Sequence, residues 1–355
     1  LDSELRDFRH SGVGLSCNKQ DELKKIQNRI SELGIDFTNN INSHADTIII
    51  EEALMKGLSE DYKKERYMGN GYYAVDLSYP SFYIYMKNAE SDSIRKELRY
   101  KFLNRGMPGN IKILDQIISL RNQYAEILGY PSFAAYTIED AMAKTPGTVW
   151  QFENDLKNKI QQKAHWDSAQ LLEIKNHFLG HHDTVIYDWE KYFYENKILE
   201  SRYKVDADEV RQYFQVDNVL EGLFTISQRL FGIKYSEIMD PSVWHSDVRM
   251  YEMRDCKTGD LIGTFYLDLY PRENKYQHAA EYTIISGKKI KDAYQLPVAC
   301  LVCNFPKKTV DNPSLLSHDD VETFFHEFGH LIHDLLSKTE LSSQSGTSVA
   351  MDFVE

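Results

Sequence analysis

Apolar side chains recur every three or four residues through the first half of the chain, the periodicity of helices that bury one face. The clearest stretch runs from Asp21 to about Ile41, with Leu23, Ile26, Ile30, Leu33 and Phe37 on one stripe. The same spacing predicts helices over about 92–104, 109–128, 131–141 and 147–178. Turn or cap signals such as Ser91-Asp92, Pro108-Gly109 and Thr145-Pro146-Gly147 precede them. Further helices fit 185–197, 206–212 and 216–231. Between the first helices lies Tyr72 to Met86, dense in aromatic residues. It could grip a peptide, but such rings more often pack a core or a domain seam, and that is the expectation.

After residue 231 the period changes. Residues 248–254 and 261–269 flank the turn-forming Asp255 to Asp260 and read as a hairpin, and short strands are predicted near 279–285 and 296–303. Helical spacing then returns in Val321, Phe324, Phe325, Phe328, Leu331, Ile332, Leu335 and Leu336. Ser317 with Asp320 three residues on reads as an N-cap pair, and Asp319, Asp320 and Glu322 place negative charge at the positive end of the helix dipole. A helix is predicted over 318–336. The fold class is therefore mainly α, with a small sheet beside this helix. A mostly helical region, 1–240, is expected to precede a region 241–355 that holds the sheet and the helix. No internal repeat, low-complexity tract or flexible linker marks the boundary.

Composition narrows the partners. A formal net charge of −13 argues against a nucleic-acid backbone, which needs clustered Lys and Arg. No apolar run approaches the roughly 20 residues that span a bilayer, so no membrane partner is expected. The four cysteines, Cys17, Cys256, Cys300 and Cys303, do not form a disulfide framework and suggest a reducing compartment. Cys300 and Cys303 share a C-x-x-C spacing inside the apolar run Leu296 to Phe305, with no second pair elsewhere, and are read as buried, inert thiols.

The predicted 318–336 helix carries the chemistry. His326 and His330 lie four residues apart in His326-Glu327-Phe328-Gly329-His330, on one helical face and close enough for two imidazoles to share one zinc ion. Glu327 points toward the same side and can act as general base on a water without being a ligand. The metzincin continuation is excluded, because its Gly and third His positions are occupied by His333 and Leu336. A His2Glu site takes its third ligand from a glutamate on a later helix, and Glu355 is available. Ligating imidazoles need orienting partners. Glu322, one turn before His326, and Asp352, one turn before Glu355, are candidates, each equally explained as a solvated helix charge. His181 and His182 sit in a turn and are read as surface residues, whereas His245, His278, His318 and His333 are candidates for contacts to ligands or substrate. A purely structural zinc would need a fourth protein ligand, and none is evident.

The run Ser314 to His330, followed by Ser345 to Thr347 and Asp352 to Glu355, resembles the thimet oligopeptidase and neurolysin branch of the M3 zinc peptidases. Phe265 to Ala280, Trp244 to Arg249 and Met142 to Thr145 are similar to the same branch, so the likeness spans most of the chain. It implies one zinc ion bound by His326, His330 and Glu355, with Glu327 as catalytic base. It also implies a helical zincin-type peptidase in which region 1–240 forms much of the wall of a deep channel that admits short peptides and excludes folded proteins; a monomer is expected. A sheet edge beside the metal helix in such peptidases can hold substrate as an added strand. His278, Ala279 and Ala280, leading into Glu281 and Tyr282, are the candidate edge, with an ordinary surface strand as the equal alternative. The family's other modes, trimming dipeptides from C-termini or processing imported mitochondrial precursors, are the alternatives, and the cytoplasm is the expected compartment with the mitochondrion second. Family members extend further at both ends and supply intermediate-stabilising donors from a later segment. These 355 residues are thus expected to be a portion truncated on the C-terminal side of the zinc region, with a catalytically incomplete zinc- and peptide-binding fragment as the rival expectation.

Overall fold

The computed structural model describes residues 2–308 and 313–355. Its first half is mostly helical, as the periodicity predicts. Helix α1 (Asp2–His10) leads into α2 (Cys17–Asn42), which buries Leu23, Ile26 and Leu33. A three-stranded antiparallel sheet follows, with strands β1 (Thr47–Glu51), β2 (Tyr67–Gly69) and β3 (Tyr72–Asp76) in the order β1-β3-β2 and helix α3 (Glu60–Arg66) between the first two. None of these strands is announced by the sequence pattern, because each alternates over only a few residues.

The aromatic run 72–86 becomes β3 and then α4 (Tyr79–Asn88), a helix opened by Pro80 in its first turn, where a missing N–H costs nothing. Tyr73, Val75, Phe82, Tyr85 and Met86 from this run form a core with Ile48, Ile50, Leu98 and Phe102. Core packing is thus what its rings do. Helices α5 (Asp92–Leu103), α6 (Gly109–Leu128), α7 (Phe133–Ile138) and α8 (Pro146–Leu179) continue the layer. Of these, α7 is shorter than the predicted 131–141. Its start is fixed by Ser132, whose hydroxyl accepts from the Ala135 N–H. The helix predicted from 185 begins later, as a 3-10 turn (Asp188–Glu190) and then α9 (Lys191–Ile198). The delay has a cause. Buried Lys175 draws in the Val185 carbonyl and the Glu190 carboxylate, which keeps 183–187 out of the helix. Helices α10 (Ala207–Arg211) and α11 (Val216–Phe231) complete the series.

The second half is a five-stranded mixed sheet with one helix laid on it. Strands β4 (Ile233–Glu237), β5 (Arg249–Asp255), β6 (Leu261–Asp268), β7 (Ala280–Ile285) and β10 (Val298–Val302) stand in the order β4-β5-β6-β10-β7. Strands β8 (Lys288–Ile290) and β9 (Ala293–Gln295) form a separate hairpin between β7 and β10. β10 runs parallel to β6 and antiparallel to β7, which leaves β7 at the edge. Helix α12 (His318–Leu336) presses Phe324, Phe328, Leu331, Ile332 and Leu335 into a core with Tyr235, Phe265, Leu267 and Leu301. A four-residue helix, α13 (Met351–Val354), follows. No described helix is long and apolar enough to cross a membrane.

Candidate metal centre

The face of α12 opposite its buried stripe carries the chemistry. Its first turn is closed reciprocally: the Ser317 hydroxyl accepts from the Asp320 N–H at 3.1 Å, and the Asp320 carboxylate accepts from the Ser317 N–H at 2.8 Å. With the helix registered by its core residues, His326 and His330 lie one turn apart, edge to face, with ring centroids 4.7 Å apart. Their Nε2 atoms are 3.1 Å apart, and Glu355 Oε2 lies 3.3 Å from the first and 3.5 Å from the second. A tetrahedral zinc ion about 2.1 Å from each ligand would hold those ligands about 3.4 Å apart. The triangle therefore fits such an ion, with two imidazoles and one carboxylate as donors. It is the group of metal-ligand type that the described residues bring together. The His326 and Glu355 side chains are 51% and 57% exposed, so the centre opens to solvent on one side. An ion held there would keep a coordination position for water or substrate.

Glu355 reaches the centre from α13. Asp352, one turn earlier, accepts a hydrogen bond from the Met142 N–H at 2.5 Å, which ties α13 to the segment between α7 and α8. The loop between α12 and α13 folds back onto α12 at Gly346, where φ is +60° and a Cβ would collide with the Asp334 carboxylate. Only glycine fits there. Asp334 is fully buried, and burial holds its carboxyl above the usual range. Glu322 is exposed on α12, and among the described residues no hydrogen bond joins it to His326.

Glu327 faces the sheet edge. Its Oε2 accepts the Glu281 N–H at 3.1 Å, so the second residue of β7 turns its amide away from the ladder and toward the candidate base. Burial first, and then the Asp334 and Glu327 charges, push the Glu281 carboxyl up to about 8. Ala280 begins β7, Ala279 packs against the α12 core, and the following residues Thr283 to Ile285 are exposed along the edge. His278 is exposed just before the strand, with its Nδ1 3.0 Å from the Tyr79 hydroxyl. The other histidines lie apart from the metal-ligand triangle. His245 Nδ1 accepts from the Asp247 N–H, His318 sits edge-on to Phe214, and His181, His182 and His333 are exposed. Cys300 and Cys303 are buried and free, and burial pushes the Cys300 thiol up to about 12.

Two parts of this surface have no local sequence signal. The Glu281 amide is a backbone group, and Tyr79 and Arg105 come from the first half of the chain. Arg105 meets the segment before β7 through Gln277, its Nη1 donating to Oε1 at 3.0 Å.

A sequence model of peptidase family M3 matches residues 85–355. Saccharolysin of Saccharomyces cerevisiae is 34% identical, across 100% of this chain and 52% of its own length. The thimet-like oligopeptidase of Dictyostelium discoideum is 33% identical, over 99% of this chain and 54% of its own. Oligopeptidase A of Escherichia coli is 32% identical, over 100% of this chain and 54% of its own. The chain thus spans about half the length of the curated relatives it matches.

Proposed function

The chain belongs to peptidase family M3, and from that membership we propose that it serves a zinc-dependent endopeptidase that hydrolyses short peptides. The observation that carries the proposal is the triangle of His326, His330 and Glu355 ligand atoms with edges of 3.1 to 3.5 Å. These three side chains hold the ion. Bound there, zinc supplies a Lewis acid that polarises a scissile carbonyl and lowers the pKa of water toward about 7.

Glu327 does the proton work. Its carboxylate takes a proton from the attacking water and passes it to the leaving amine. The Glu281 N–H keeps the carboxylate turned to the edge of β7. That edge is the proposed seat of the substrate, where a peptide pairs with β7 through its main chain whatever its sequence. His278, Ala279 and Ala280 border it. Asp352 holds α13, and with it Glu355, through Met142.

A second reading is binding of zinc and peptide without turnover. One assay separates the two. A quenched-fluorescence peptide of about ten residues is incubated with the protein, with and without a chelator. Cleavage that the chelator stops and zinc restores supports the peptidase. Zinc-dependent binding without products supports the second reading, and neither binding nor cleavage ends both. In the same assay Ala280→Trp, which crowds the strand edge, raises KM; an unchanged KM removes β7 as the substrate strand.

A further inference from the structure

We propose that the first helix of the chain positions the third metal ligand: Arg6 and His10 of α1 grip Asp140 and Glu139, and this grip fixes the turn whose Met142 amide holds Asp352 and, through it, Glu355. The inference rests on the metal centre of the peptidase reading and adds positioning residues to it from the opposite end of the chain. Its first support is how α1 is attached. Leu5 and Phe8 are exposed, so these apolar side chains do not seat the helix. Polar side chains do. Arg6 pairs with Asp140, and His10 Nε2 lies 2.6 Å from Glu139 Oε2 and 2.9 Å from the Tyr130 hydroxyl, which itself donates to the same Glu139 oxygen at 2.5 Å. The hydrogen bonds from Tyr130 and then His10 hold the Glu139 carboxyl below its usual range. An ionised carboxylate only accepts, so the imidazole is the donor. The His10 ring packs against Tyr136 at a centroid distance of 4.6 Å, and the Tyr124 hydroxyl donates to the His10 carbonyl.

The second support is where that grip lies. Glu139 follows the last residue of α7, and Met142 stands in the tight turn that leads on to α8. The Ala141 N–H donates to the Ile138 carbonyl at 3.0 Å, and the Lys144 N–H to the Ala141 carbonyl at 3.2 Å. Thr145 braces the far side of the turn, its hydroxyl accepting from the Thr148 N–H at the start of α8. α1 braces the near side. Between the two braces the turn presents the Met142 N–H that Asp352 accepts. Among the described residues no other side-chain hydrogen bond joins 351–354 to the rest of the protein, and α13 buries no residue of its own. A helix of four residues without a core takes its place from its tether. Glu355 comes three residues after Asp352, so a shift of the turn moves one metal ligand and leaves both imidazoles of α12 where they are.

The test reads metal affinity and backbone order rather than turnover. On the whole chain, zinc affinity is measured by competition with a chromophoric chelator, and amide hydrogen exchange of residues 351–355 is followed in the zinc-free protein. His10→Ala is expected to weaken zinc binding about tenfold, the lower end for a residue that orients a ligand, and to speed exchange at 351–355. His10→Gln, whose amide still donates to Glu139, restores most of both. The decisive comparison is made in Asp352→Ala, where the tether is already cut. There His10→Ala is expected to change zinc affinity by no more than about twofold, because residues that act along one chain of contacts are not additive. Equal losses in both backgrounds make α1 general scaffolding, and unchanged affinity and exchange in His10→Ala separate it from the site; either result overturns the proposal. If His10→Ala does not fold, Arg6→Gln, which loosens the Asp140 side of the grip, takes its place in the same comparison. A wild-type chain that binds no zinc removes the peptidase reading, and exchange at 351–355 still decides whether α1 holds α13.

Discussion

The two helices that meet at the candidate metal centre reach it by opposite routes. α12 is nineteen residues long, closed at its start by a reciprocal cap, and buries Phe324, Phe328, Leu331, Ile332 and Leu335. Its two histidines need nothing further to face the same way, because four residues are close to one helical turn. α13 has four residues, no side-chain cap and no buried residue; Met351 and Phe353 are 73% and 71% exposed. A helix this short has no stability of its own. Its place is set by the Asp352 contact to Met142, 210 positions away in sequence, and by the return of the loop onto Asp334 at Gly346. One half of the donor set is therefore local and the other is tertiary, and the two should fail in different ways.

The largest expected effect leaves both halves in place. Glu327→Gln keeps the carboxamide in reach of the Glu281 N–H and spares all three ligands, so zinc content by elemental analysis stays at wild-type level while turnover falls by about 10²- to 10⁴-fold. Near-normal turnover would take the proton role from Glu327. Next come the helices themselves. Phe328→Ala opens a cavity between α12 and the sheet and should cost about 3–5 kcal/mol in denaturant unfolding, whereas Phe353→Ala, at an exposed site on α13, should stay within about 0.5 kcal/mol. Equal costs would mean that α13 is anchored as firmly as α12. Asp352→Ala is then expected to weaken zinc binding by about 10- to 100-fold with an unchanged unfolding midpoint, the mark of a residue that orients a ligand. If metal affinity does not move, the Met142 contact does not position Glu355. Ser317→Ala removes the α12 cap and should cost about 1 kcal/mol, with zinc affinity measured by competition essentially unaltered.

The helices of the first half were legible because each buries a stripe wide enough to impose its period on several turns, as Leu23, Ile26, Ile30 and Leu33 do in α2. The bounds of α11 and α12 match the predicted 216–231 and 318–336 for the same reason, strengthened at α12 by its cap. Strands β1 to β4 were missed, since three to five residues of alternation cannot be told from loop without knowing the partner strand. The late start of α9 was hidden too. Its cause is a buried ion pair between Lys175 and Glu190, which no local pattern reveals.

At the site, the sequence by itself determined the spacing of His326, Glu327 and His330 and the helix that gives this spacing meaning, because helical geometry depends on neighbours a few residues apart. It also offered Glu355 as a donor and Ala279 and Ala280 as a strand border. The tertiary structure decided the rest: that Glu355 Oε2 stands within 3.5 Å of both imidazoles, that the β7 edge gives an amide to Glu327, and that Arg105 closes on the approach to that strand. These are distances between segments far apart along the chain. They are fixed by which cores the segments share, and side-chain packing sets them only once the whole sheet and its helices are assembled.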